Sequence, residues 1–192
     1  NAVWRSFHEG QRVASERVST IADGIAVKKP GELTFELCSR YLDEIVTVDD
    51  DEIAQAILFL MERGKMVAEG AGAAPVAAIM NRKFDVSGKV AAVISGGNID
   101  VTMISRIIEK GLLRAGRMTK LRILMQDRPG QLEMASRIIA AEGANVMVVH
   151  HDRTDVDLDI RDAILEITME TQDRKHAQRV IDALRAGGFQ VS

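Results

Sequence analysis

Lys120-Leu121-Arg122-Ile123-Leu124-Met125-Gln126-Asp127-Arg128-Pro129-Gly130-Gln131-Leu132 is the stretch in which the fold is most directly legible. Lys120 to Gln126 alternates as a strand does, with Leu121, Ile123 and Met125 on one side. Asp127-Arg128-Pro129-Gly130 then turns into a helix whose inner face is Leu132, Ala135, Ile138 and Ile139, stopped by Gly143. Downstream, Asn145 to Val149 and Ala163 to Met169 are β-branched, alternating runs, hence two further strands. Lys175 to Arg185 has helical spacing, with Ala177, Val180, Ile181 and Leu184 inward, and Gly187-Gly188 ends it before a fourth strand opens at Phe189. Strand, helix, strand, strand, helix, strand over 120–192 is a βαββαβ unit, the ferredoxin-like plan.

Upstream the texture changes. Leu33 to Leu42 has helical apolar spacing, and Glu44 to Val48 is a β-branched run expected to be a strand. Asp49 and Glu52 are spaced as a capping box for a helix that buries Ile53, Ala54, Ile57, Leu58, Leu60 and Met61 and closes at Arg63-Gly64-Lys65. Gly70 to Met80 is small and apolar, which suits a helix packed closely on a sheet. Val90 to Ile94 is a continuous apolar run before Ser95-Gly96-Gly97-Asn98, as in a strand buried on both faces. Alternation of helix and buried strand predicts α/β layering, so the whole chain is expected to be α/β followed by α+β. The basic, glycine-punctuated stretch Lys110 to Thr119 reads as the connector, with boundaries at 1–114, 115–119 and 120–192.

Composition narrows the partners. A net charge of -3 over 192 residues gives no electrostatic reason to expect nucleic acid. No apolar run approaches the roughly 20 residues of a membrane span. The single cysteine, Cys38, excludes an internal disulfide framework and suits a reducing cytoplasm; Phe35, Leu37, Tyr41 and Leu42 around it predict a buried, inert thiol. The opening Asn1-Ala2-Val3-Trp4 has neither an initiator Met nor a signal-peptide pattern and reads as the middle of a longer chain.

Gln126-Asp127-Arg128-Pro129-Gly130-Gln131-Leu132 followed by Gly143-Ala144-Asn145-Val146 resembles the ACT domain family over the whole of 120–192. That resemblance implies a small amino-acid effector, bound where two such units meet, with Asp127, Gly130 and Asn145 at the positions the family uses. Gly130 lets backbone approach a ligand, free N–H groups at the helix start attract a carboxylate, and Asp127 would hold an α-amino group. The plain alternatives are that Asp127 caps the helix and Asn145 closes a turn.

Thr20-Ile21-Ala22-Asp23-Gly24, Glu69-Gly70-Ala71-Gly72-Ala73 and Ser95-Gly96-Gly97-Asn98-Ile99-Asp100 resemble three successive signatures of the threonine dehydratase/serine racemase family, fold-type-II pyridoxal-phosphate enzymes. The match covers roughly 1–114, the C-terminal part of that catalytic domain. It implies that Ser95 faces the pyridine nitrogen of pyridoxal phosphate, that Gly24 lies against the ring face, and that Glu69 sits at the cofactor edge. Taken one by one, these residues read equally as a turn, a helix cap and a surface acid. The family's Schiff-base lysine in a Ser-x-Lys-x-Arg context and its glycine-rich phosphate cradle are not found here. No catalytic residue is therefore assigned, and the chain alone is expected neither to bind the cofactor nor to act as a lyase.

Two functions stay open at this stage. One is the C-terminal part of a threonine ammonia-lyase that converts threonine to 2-oxobutanoate, its missing N-terminal catalytic portion elsewhere, with isoleucine or valine as effector on pathway grounds implied by the family. The other is a self-standing amino-acid-binding or oligomerisation module. Either way the open sheet edge predicts a homo-oligomer through the ACT units. His150-His151-Asp152 suggests metal, but successive strand residues point to opposite faces, so no metal site is assigned. His8 and His176 read as isolated histidines in polar surroundings. The run Asp152, Asp155, Asp157, Asp159, Asp162 lacks the glycine and terminal Glu of a calcium loop and reads as a solvated hairpin connection.

Overall fold

A computed structural model of the chain describes every residue except Val86, Asp155 and Asp157. The chain divides into two compact units, Asn1–Ile108 and Glu109–Ser192.

The first unit carries α1 (Ala2–Glu9), α2 (Glu32–Tyr41), α3 (Asp50–Phe59), α4 (Gly70–Met80) and the first half of α5 (Val101–Ala115). The capping box forms as its spacing predicts: Asp49 Oδ1 accepts the Glu52 N–H at 2.8 Å and Glu52 Oε2 accepts the Asp49 N–H at 2.9 Å. After α3 the helix widens by one turn, Leu60–Gly64, and Lys65 stops it with φ 54°. Ile53, Ile57 and Leu60 pack on the small face of α4, where Ala73 and Ala77 allow close approach, and Ile107 of α5 joins this core.

Three expectations fail in this unit. Among its described residues neither Glu44–Val48 nor Val90–Ile94 forms ladder hydrogen bonds, and Val93 is 76% exposed. A β-branched run favours extended backbone, but a strand exists only when at least one neighbouring strand takes up its backbone hydrogen bonds. The expected α/β layering is thus a helical layer here, and Ser95 follows no strand. Cys38 is half-buried rather than buried, because Leu33, Leu37, Tyr41 and Leu42 around it are themselves exposed.

The second unit follows the order read from the sequence: β1 (Met118–Gln126), α6 (Gln131–Ala141), β2 (Asn145–Asp152), β3 (Asp162–Glu170), α7 (Arg174–Ala186) and β4 (Gln190–Val191). The sheet is antiparallel in all its pairings, in the order β2-β3-β1-β4. Leu121, Ile123 and Met125 lie opposite Ile167, Leu165 and Ala163, and α6 and α7 cover that face with Ala135, Ile139, Val180 and Leu184. Leu132, expected inward, is 40% exposed, since it stands in the first turn of α6.

The connector differs from its expectation. Helix α5 continues to Ala115 and β1 begins at Met118, so only Gly116 and Arg117 separate them. Both Arg174 Nε (3.0 Å) and Nη2 (2.6 Å) donate to the Arg114 carbonyl, which would otherwise be one of the open acceptors ending α5. Thr171 Oγ1 donates to the Gly116 carbonyl at 2.6 Å, and the Thr171 N–H to that of Arg117 at 3.0 Å. His176, expected in a polar setting, is only 1% exposed. Its Nδ1 accepts the Gln172 N–H at 3.1 Å, which leaves Nε2 to donate to the Glu142 carbonyl at 2.8 Å.

Candidate cofactor and effector sites

The three upstream motifs meet although they lie some 70 residues apart in sequence. Asp50, in the first turn of α3, accepts hydrogen bonds from Thr20 Oγ1 and the Ile21 N–H, which seats the Thr20–Gly24 segment. Gly70 lies against it so closely that a β-carbon there would be 2.4 Å from the Ile21 carbonyl oxygen. On the same end of α4, a β-carbon at Gly72 would be 2.1 Å from the Ser95 carbonyl oxygen. Glu69, just before α4, sits between the other two motifs: its Oε1 lies 3.5 Å from a β-carbon built on Gly24 and 2.5 Å from one built on Gly96. The Glu69 N–H points to the Gly96 carbonyl at 3.4 Å. Gly24, Glu69 and Ser95–Gly96 therefore share one corner of the unit. Gly96, at φ 79°, holds a backbone conformation open mainly to glycine.

Within this corner the Glu69 carboxylate and the Ser95 hydroxyl have no hydrogen-bond partner among the described residues, and Ser95 is exposed. Two unspent polar side chains beside a bare glycine fit one rim of a planar heteroaromatic cofactor. A larger cleft of about 1090 Å³, lined by Trp4, Thr20, Val48, Ile53, Pro75 and Lys83, does not include Gly24, Glu69 or Ser95. The cleft and the motif corner are thus separate places on this unit. Gly72 and Gly96 belong to the quoted motifs, yet their close contacts become visible only in three dimensions.

The expected effector residues do not all come together. Gly130 starts α6 at φ 92° with open space around it, and α6 has no side-chain cap, so Asp127 does not cap the helix. Asp127 Oδ2 is instead 3.1 Å from Arg153 Nε, and Oδ1 is 3.9 Å from His151 Nε2. Asn145 is elsewhere: its Nδ2 donates to Glu170 Oε2 at 2.9 Å, across from the start of β1. Helix α6 carries the chain back, so β2 runs parallel to β1, and its first residue returns to the end where β1 begins. Within one chain that puts Asn145 about 26 Å from Asp127, taking eight residues of strand. His150 lies opposite exposed Glu166 and His151 opposite buried Leu165, on the two faces of the sheet. In the loop that follows, Asp155 and Asp157 lie outside the described residues, while Asp152 accepts from the Thr154 N–H at 2.8 Å.

Residues 1–96 match the model of the pyridoxal-phosphate dependent enzyme family, half of the chain. The chain belongs to this family. Within it, the L-threonine ammonia-lyase of Thermotoga maritima is 52% identical over 187 residues, 97% of this chain and 46% of that protein. The L-threonine ammonia-lyase of Geobacter sulfurreducens is 45% identical over the same share. The chain thus spans about half the length of the curated relatives it matches, and the similarity runs through both of its units. Among solved structures, a threonine deaminase from T.th. is 33% identical with a TM-score of 0.50, over 52% of this chain and 37% of that one. The processed form of threonine deaminase isoform 2 from Solanum lycopersicum has the same identity and TM-score, over 56% of this chain and 32% of that one. Pyridoxal phosphate is the cofactor of the family, and the motif corner lies within the matched residues or at their edge. Among the described residues no helix is long and apolar enough to cross a membrane.

Proposed function

We propose that this chain supplies the C-terminal part of a cytoplasmic threonine ammonia-lyase, which removes ammonia from L-threonine to give 2-oxobutanoate. In this reading residues 1–114 complete the cofactor site and residues 120–192 are an ACT-type, ferredoxin-like sensor of an amino acid. The observation that carries it is the meeting of Gly24, Glu69 and Ser95–Gly96 in one corner, supported by similarity to L-threonine ammonia-lyases along 97% of the chain. Pyridoxal phosphate, when bound, supplies the electron sink for elimination of the β-hydroxyl. Ser95 would face the pyridine nitrogen; a hydroxyl, unlike a carboxylate, need not keep that nitrogen protonated. Gly24 would leave one ring face uncrowded, and Glu69 would orient the ring edge. The Schiff-base lysine and the phosphate cradle would come from the preceding portion of the protein.

The sensor half rests on the βαββαβ order and on the edge strand β2, where Met147, Val148 and Val149 are exposed and Met147 bulges from the ladder. Antiparallel pairing of β2 with its copy about a twofold would set Asn145 of a second copy near the Asp152 end, the end that holds Asp127. Asp127, Gly130 and Asn145 would then form one effector site shared by two chains.

Two proteins test the reading. The 192-residue chain with pyridoxal phosphate and L-threonine is expected to give no 2-oxobutanoate. The same residues joined behind the N-terminal portion of the Thermotoga maritima relative are expected to give it, and Ser95→Ala to slow that reaction at least tenfold. Product from the shorter chain alone, or a cofactor-loaded longer protein that releases no ammonia from threonine, overturns the assignment.

A further inference from the structure

The corner around Asp127 contains two side chains that no part of the reading above uses. Among the described residues His151 Nε2 is buried without a hydrogen-bond partner, 3.9 Å from Asp127 Oδ1. That distance is too long for a direct hydrogen bond, yet one further nitrogen or oxygen can bridge it with ordinary bonds to both sides. On the other oxygen, Arg153 Nε stands 3.1 Å from Oδ2, with the arginine side chain 60% exposed and free to swing. No side chain crowds Gly130 beside them.

We propose that Asp127, His151 and Arg153 form a latch specific for a free α-amino acid with both charged groups intact. The inference rests on the effector reading and adds to it the residues that recognise the zwitterion. The ligand's ammonium enters between Asp127 Oδ1 and His151 Nε2, donating to both and satisfying the nitrogen now left without a partner. Its arrival neutralises Asp127 and releases Arg153, whose guanidinium turns to the ligand's carboxylate, the geometry that a planar fork matches best. Without ligand, Arg153 neutralises the Asp127 carboxylate through Oδ2 and so weakens its hold on an ammonium at Oδ1. An amine lacking the carboxylate gives Arg153 no second anion to turn to and must share Asp127 with it, so the latch discriminates against it.

Calorimetric titration of the 192-residue chain with L-isoleucine, L-valine, L-threonine and L-serine, and with the primary amide of whichever binds, tests this. The wild type is expected to bind one of the four at least tenfold tighter than its amide. Arg153→Gln is expected to weaken the amino acid about tenfold while tightening the amide, because the competing guanidinium is gone. His151→Phe is expected to weaken both. An amino acid bound equally by the wild type and by Arg153→Gln, whose exposed side chain makes misfolding a poor explanation, overturns the latch and leaves the effector reading standing. A wild type that binds none of the four overturns both.

Discussion

The carbonyl oxygen of Ser95 lies over Gly72 with no room for a side chain between them: a β-carbon would come within 2.1 Å. The contact is backbone to backbone, so no rotamer change relieves it. Gly72→Ala is expected to push the Ser95–Gly96 turn off α4 and to destabilise the first unit by about 2 kcal/mol, the usual scale of overpacking. Urea denaturation of the variant against the wild type measures this. An unchanged midpoint would mean that the turn does not rest on α4.

His176 is a second pressure point. Its ring satisfies the Gln172 N–H and the Glu142 carbonyl at once, tying the turn before α7 to the end of α6. His176→Phe keeps a planar ring of similar volume but strands both backbone groups. It is expected to cost about 3 kcal/mol, one to two for each buried group left unpaired. A thermal melt within a degree or two of wild type would show the ring to be mere filling.

Acid should loosen helix starts in particular. The Asp173 carboxyl is held below its ordinary value by the His176 N–H it accepts, and the Asp100 carboxyl by the Thr102 hydroxyl and then the Thr102 N–H. A carboxylate lowered in the folded state adds stability above its unfolded pKa and loses it as pH falls through the folded value. With ordinary values near 3.8, the loss belongs below about pH 4. Melting temperature followed from about pH 6 to about pH 2.5 is expected to fall less steeply for the Asp100→Asn/Asp173→Asn double variant, which keeps the acceptor oxygens. Superimposable profiles would remove these two groups from the acid response.

How far the sequence could be read depended on how local each feature is. The Asp49–Glu52 box needs only a four-residue spacing and was legible outright, as was the alternation of Leu121, Ile123 and Met125. Val90–Ile94 was not, because an apolar run states that something must cover it without saying whether neighbouring strands are present. The separation of Asn145 from Asp127 within one chain was hidden for another reason. The Asn145 motif lies close to Asp127 in sequence, but strand direction after α6 sends it to the far end of the sheet. The Arg153–Asp127 pair and the burial of His176 depend on register and on packing between elements, and neither leaves a periodic trace. Gly24, Glu69 and Ser95 were found through family resemblance, and the close contacts of Gly70, Gly72 and Gly96 now give that grouping a steric reason.

The two-residue junction at Gly116 and Arg117 matters to anyone dissecting this molecule. A C-terminal piece begun at Lys120, where the sequence would draw the border, discards the carbonyls that Thr171 and Arg174 hold. It also discards Glu109, the ionic mate of Lys120, and the first two rungs of β1. Such a piece would leave the bench frayed at the very end where Asn145 meets Glu170, and a null result in a ligand titration would then indict the scissors rather than the sensor. Cutting ahead of Glu109 keeps the seam whole.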